Sequence, residues 1–297
     1  MATAQRTKAS DKQGICKKLV SLLKKRYKGS IPKSDRAVLE TILYGICLEN
    51  GSVAQADIAY DRLESEFHDL NEVRVSSIVE LETAFRDMRD PEWRALRVRS
   101  ALQYIFEKNF SFEFEGLRRK TLDLAGKHLA RIKQLSHFVR IYTLQQTLGG
   151  HVIPLDDCMR DAAVALGLLQ TGLTPERASE AMKSAIRKAD APLFCHLLRS
   201  FSTDPKAGKV IGAAVRKAPE EGYDVGEAPS RLEQLFKQAD SRSRTVKKKK
   251  PAKKGNPDSR SAGRTSPGTK KTATKKGATP RAVKKKTTKR SRIVKKK

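Results

Sequence analysis

Cysteine is scarce and scattered in this 297-residue chain: Cys16, Cys47, Cys158 and Cys195 stand far apart, with no Cys-x-x-Cys pair. Such spacing signals neither a disulfide framework nor a zinc site, so the four read as reduced, mostly buried thiols and no metal is expected. Aromatic residues are few, at 6% of the sequence with a single tryptophan. Long apolar runs are missing as well. None approaches the ~20 residues that a membrane-spanning helix needs, and the opening MATAQRTKASDKQG has no apolar core behind its charges, so the protein is expected to stay in the compartment that holds DNA.

Positive charge is what the chain has in excess. The formal net charge is +29, and its placement is uneven: residues 241–297 hold 24 Lys and Arg against the single acid Asp258. The preceding 240 residues hold 38 basic and 32 acidic residues, a nearly balanced body. A balanced body with a polycationic arm points to nucleic acid as partner. The arm alternates Lys, Ala, Thr, Ser, Pro and Gly with no aromatic. It resembles linker-histone tails and is expected to stay disordered and to bind phosphates without sequence preference. The expected location is cytoplasmic and nucleoid-associated, or nuclear in a eukaryote.

Within the body the apolar residues recur at helical spacing. Ile15, Leu19, Leu22 and Leu23 share one side of the Gly14 to Tyr27 stretch, with lysines opposite. Ser34 is placed to cap a helix carrying Val38, Leu39, Ile42, Leu43 and Ile46, while Ser52 with Gln55 and Ser77 with Glu80 form capping boxes. Asp90-Pro91 opens a long helix whose Val98, Leu102, Ile105 and Phe106 face inward and whose Arg94, Arg97 and Arg99 lie largely elsewhere. NFSFEFEG alternates like a strand but has no partner, and is expected to be an extended linker. The pattern predicts an all-α helical domain over 14–203, preceded by a flexible 1–13. A linker at 204–240 with a short helix at Arg231 to Phe236 follows, and then the disordered Lys-rich tail at 241–297.

The most informative stretch is KQLSHFVRIYTLQQTLGGHVIPLDDCMRDAAVALGLL, Lys133 to Leu169. It reads as a helix end, a tight turn over Leu135 to Val139, a second helix to about Leu148, a Gly-Gly break and a third helix opened by Asp156-Asp157. This layout resembles the helix-hairpin-helix DNA glycosylases of the endonuclease III superfamily, whose hairpin L-P-G-x-G-x-K-T-A precedes an aspartate at the next helix start. Leu135 falls on the motif's leucine and Asp156 on its aspartate, with Asp157 in that place if the register slips by one. The middle departs: Ser136 stands at the proline, His137 and Val139 at the glycines, and Ile141 at the lysine that forms a Schiff base in bifunctional members. ILYGICLENGSVAQADIAYDRL is similar in shape to the family's L-L-S-x-Q-T-x-D, with Cys47 where the glutamine that fills the base gap belongs.

The resemblance implies double-stranded DNA as partner and base-excision repair as activity. Asp156 stabilises charge at the sugar or activates water in that reading. A β-lyase step is not expected, because isoleucine cannot form the imine. No iron–sulfur cluster is expected either, since FSTDPKAGKVIG stands where many relatives carry four cysteines. The implied DNA contacts are Leu135, Ser136, His137, Phe138, Val139 and Arg140 in the hairpin and Arg97 on the preceding helix. Lys247, Lys248, Lys249, Lys250, Lys284, Lys285 and Lys286 supply the tail's contacts. Other readings of the same residues stand beside these. An Asp before an apolar-periodic helix is also an ordinary N-cap, and arginines on a helix face are often merely solvated. Cys47, Val139 and Ile141 favour a non-catalytic architectural or nucleoid-associated protein that keeps the fold as a docking surface. Charge alone also admits an RNA-associated protein.

Overall fold

The computed structural model describes residues 9–27, 31 and 35–248. Ser34, Lys249, Lys250, Lys284, Lys285, Lys286 and the expected disorder beyond 248 lie outside those residues. The described chain is helical: α1 (Ala9–Tyr27), α2 (Val38–Leu48), α3 (Val53–Ser65), α4 (Leu70–Val75), α5 (Ile78–Glu82), α6 (Pro91–Asn109), α7 (Leu122–Ala130), α8 (His137–Leu148), α9 (Asp157–Leu166), α10 (Pro175–Lys183), α11 (Ala191–Ser202), α12 (Pro205–Arg216) and α13 (Ala228–Lys248). Short 3-10 turns at Thr83–Phe85, Glu115–Arg119 and Val225–Glu227 complete it, and there is no strand among the described residues. No described helix is long and apolar enough to cross a membrane.

The core forms around α2. Every residue of this helix except Glu40 is buried, which is the pattern of a helix covered on all sides. It packs against α3, α6 and α8. The elements start where the sequence offers caps. Ser52 and Ser77 make the expected boxes with Gln55 and Glu80, and Thr121, Ser136, Asp156 and Thr174 each accept a first-turn amide. Each such cap contributes about 1 kcal/mol. Pro91 and Pro175 occupy first-turn positions. NFSFEFEG forms bends leading into the 3-10 turn at Glu115–Arg119.

The folded body extends past the boundary read from the sequence. Residues 204–240 hold α12 and most of α13 instead of a linker with one short helix, and α13 carries helix on through Lys248. Ala207, Val210, Ile211, Leu232, Leu235 and Ala239 are buried, so α12 and α13 close over α9 and α1. Arg26 on α1 holds the Asp240 carboxylate through two nitrogens at 3.0 and 2.8 Å. The Tyr27 hydroxyl donates to Asp204 at 3.0 Å, and Phe236 meets Tyr27 and Phe201 edge-on.

After α8, Gly149 takes a left-handed conformation (φ 59°) that ends the helix, a geometry that costs other residues more. A Cβ on Gly150 would come within 2.6 Å of Leu122 Cδ1. This glycine pair turns the chain back so that Ile153, Pro154 and Leu155 are buried on the approach to α9.

Candidate nucleic-acid interface

α7 and α8 form the hairpin, but its turn lies at 131–136, earlier than the Leu135 to Val139 expected. The residue that needs positive φ is Gln134 (φ 64°), whereas His137 and Val139 are already helical. A β-carbon at Val139 therefore costs nothing in backbone strain. Leu135, Phe138 and Val139 are buried in the core, with Val139 against Gly45 of α2, so their side chains serve packing rather than phosphate contact. Ser136 Oγ accepts the Val139 amide at 3.2 Å, and Arg140 Nε reaches back to the Ser136 carbonyl at 3.4 Å. His137 is tied to α10, 3.3 Å from Ser179 Oγ and 3.5 Å from Glu176 Oε1. Burial lowers its pKa, which favours the neutral ring. The exposed side chains of the turn are Arg131, Lys133 and Gln134. They flank the N-terminus of α8, where free amides and the helix dipole favour an anion.

Asp156 caps α9, and its carboxylate is enclosed. Oδ1 accepts the Met159 amide at 2.9 Å. Oδ2 accepts the Asn50 amide at 2.9 Å and meets Arg199 Nη1 at 2.7 Å, with no exposed surface left on the Asp156 side chain. Arg199, on α11 and equally buried, also donates to the carbonyls of Leu48 (2.7 Å) and Gly51 (3.0 Å) and lies 4.8 Å above the Phe138 ring. One guanidinium thus fastens the α2–α3 turn, α9 and α11 together. Asn50, in a left-handed conformation (φ 54°), extends the link: its side chain accepts the Cys158 amide at 3.3 Å and donates to Asp157 at 3.4 Å. Asp157 itself is exposed and paired with Arg160.

Two of the three arginines of α6, Arg94 and Arg97, are tied to the protein itself. Arg94 is buried, donating to the carbonyls of Ile46, Cys47 and Glu49 at the end of α2 and to Arg89. Arg97 is ion-paired with Glu49, a nearly buried carboxylate beside Asp156. Burial raises the Glu49 pKa against the opposing pull of Arg97. The folded carboxyl therefore holds its proton more tightly than the unfolded one, so wild-type stability falls as pH rises above the ordinary 4.5. Glu49→Gln lacks this loss. Its stability relative to wild type is expected to rise as the pH increases above 4.5, read as the difference in urea midpoints; a constant difference would contradict the assignment.

A cleft of about 590 Å³ opens beside Arg199. Arg36, Tyr44, Phe138, Tyr142, Gln145 and His196 line it, Arg36 stacking 3.7 Å over Tyr44. Among the described residues none that lines it is a lysine. Ile141 faces a separate depression with His137, Val152 and Glu176. Cys47 is fully buried and its thiol is pushed up to about 12 by burial. Tested against an iron–sulfur cluster, the cysteines do not fit: the four sit on four different helices, and α12 occupies the segment after α11. Among the described residues no group of His, Cys, Asp and Glu is placed to hold a metal ion.

Asp156 and the hairpin are legible in the sequence, whereas Arg199 and Asn50 as partners of Asp156, and Glu49 as the partner of Arg97, are not. The Asn50-Gly51 pair is a turn signal that pointed to the first link.

No family model matches the sequence, and no curated protein matches it. Solved structures do. A non-covalent endonuclease III–DNA complex superposes with a TM-score of 0.52 at 13% identity, covering 78% of this chain and 98% of that one. A trapped endonuclease III–DNA covalent intermediate gives 0.49 at 12% identity, over 64% and 85%. The H. pylori 3-methyladenine DNA glycosylase bound to 1,N6-ethenoadenine gives 0.42 at 14% identity, over 78% and 98%. The body of this chain thus has the all-α fold of endonuclease III.

Proposed function

We propose that this chain is a duplex-DNA-binding protein that uses the endonuclease III fold as a docking body, without excising a base through Asp156 and without a β-lyase step. The observation that carries the reading is the enclosure of Asp156. A carboxylate that accepts from two amides and a buried guanidinium and has no exposed side-chain surface offers nothing to a sugar or a water while that arrangement holds. That no lysine lines the cleft among the described residues supports the absence of lyase chemistry in either hairpin register. DNA as partner is supported by Arg131 and Lys133 around the α8 N-terminus and by the basic tail, which adds sequence-independent affinity. The solved neighbour of the same fold is itself a DNA complex, a support by analogy. The protein belongs on this reading with nucleoid or nuclear DNA.

Base excision remains the second reading, favoured by the aromatic cleft that opens beside Arg199 and by Asp156 lying directly behind that arginine. It requires Arg199 to swing away. Duplexes carrying single lesions, incubated with the protein and then treated with alkali, are expected to show no strand breaks above buffer. Borohydride on an abasic duplex is expected to trap no adduct. Breaks that disappear in Asp156→Asn at unchanged folding return the excision reading, and a trapped adduct returns the lyase.

A further inference from the structure

Residues 52–82 invert the charge of the molecule, with eight acidic residues against two basic, a net charge of −6 in a chain of +29. The same segment carries an apolar groove of about 780 Å³ between α2, α3 and α4, with Leu43, Tyr60, Leu63, Phe67, Leu70 and Val73 along its floor and walls. Glu40, Glu64 and Asp69 stand on its rim. Arg62 and Arg86 nearby are committed to Asp87 and Glu66, and neither Glu64 nor Asp69 has a cationic partner among the described residues. Ile58, Val75 and Val79 of the same segment are 51%, 62% and 74% exposed. Apolar side chains left in water beside unneutralised carboxylates mark a surface that gains from being covered.

We infer that this groove docks an amphipathic helix of a partner protein, its apolar face on Leu63, Phe67 and Leu70 and its lysines or arginines against Glu40, Glu64 and Asp69. Charge complementarity selects this occupant. A nucleic acid is repelled by the rim, an acidic or neutral peptide supplies the rim carboxylates with no countercharge, and no strand among the described residues offers an edge to an extended segment. The inference does not rest on the DNA reading, because the groove is built from α2, α3 and α4 alone.

The test uses the full chain and a fluorescent peptide of about four helical turns, with leucines at i, i+3, i+4 and i+7 and lysines elsewhere. Anisotropy is expected to show saturable binding, weakened at least tenfold by Glu64→Lys and by Leu70→Lys, and absent for the same peptide with glutamates in place of lysines. Glu64 is exposed and Leu70 half-buried, so both variants are expected to fold, checked by circular dichroism. No saturable binding, or equal binding to the wild type and both variants, overturns the proposal. A concentration-dependent dimer in sedimentation that Glu64→Lys abolishes also overturns it, in favour of a second copy as occupant.

Discussion

Replacing Arg199 by alanine is expected to destabilise the fold by about 3–5 kcal/mol, because it leaves the Asp156 carboxylate buried with its countercharge gone. For a body of this size that corresponds to a fall in Tm of roughly 10 °C. The loss exceeds that of an ordinary surface pair, worth ~0–1 kcal/mol, since the Asp156 side chain has no exposed surface and that of Arg199 only 5%, and the same guanidinium also satisfies two buried carbonyls. Asp156→Asn is expected to cost less, as an amide oxygen can still cap α9. The double variant is expected to be more stable than the sum of the two losses, since each single change orphans the other's partner. Thermal unfolding of the three variants measures the coupling. Strict additivity, or a Tm for Arg199→Ala within about 2 °C of wild type, a shift worth less than ~1 kcal/mol, contradicts a structural role for the pair.

The second large effect concerns salt. Deleting residues 249–297 leaves α13 intact through Lys248 and removes 20 of the 24 basic residues counted from Ser241 onward. Each phosphate neutralised contributes about −0.9 to the slope of log affinity against log salt. With ~8 tail charges engaged, the full chain is expected to lose several orders of magnitude in affinity between about 50 and 200 mM salt, and the truncated chain much less. The weakening is expected on any duplex sequence, as the deleted segment has no aromatic and only Asn256 as an amide to read base edges. Equal slopes for the two proteins on two unrelated duplexes show the tail to be a bystander.

Features of this protein that depend on neighbouring residues were legible in the sequence, and those that depend on distant ones were not. Ser52 with Gln55, Ser77 with Glu80 and Thr174 with Pro175 act within one helical turn, and each starts a helix as read. The hairpin's register was misplaced because Val139 was matched to a motif glycine, whereas its burial against Gly45 is set by a helix about ninety residues earlier in the chain. Arg199 lies 43 residues beyond Asp156, and no local rule joins them. The available hint was a charged residue set among the apolar side chains of LFCHLLRSF, which calls for a buried partner. α12 and α13 were hidden by their lysine, glycine and proline content. Ala207, Val210, Ile211 and Ala214, like Leu232, Leu235, Phe236 and Ala239, nonetheless keep helical spacing.

Hydrogen–deuterium exchange of the full chain with and without an undamaged duplex tests the docking account most directly. Slowed exchange is expected in peptides covering Arg131 to Arg140, at the hairpin turn and the α8 N-terminus, and no change over the acidic segment Ser52 to Glu82. Protection confined to residues beyond 248, or spreading over Ser52 to Glu82 while the hairpin stays unprotected, would contradict it.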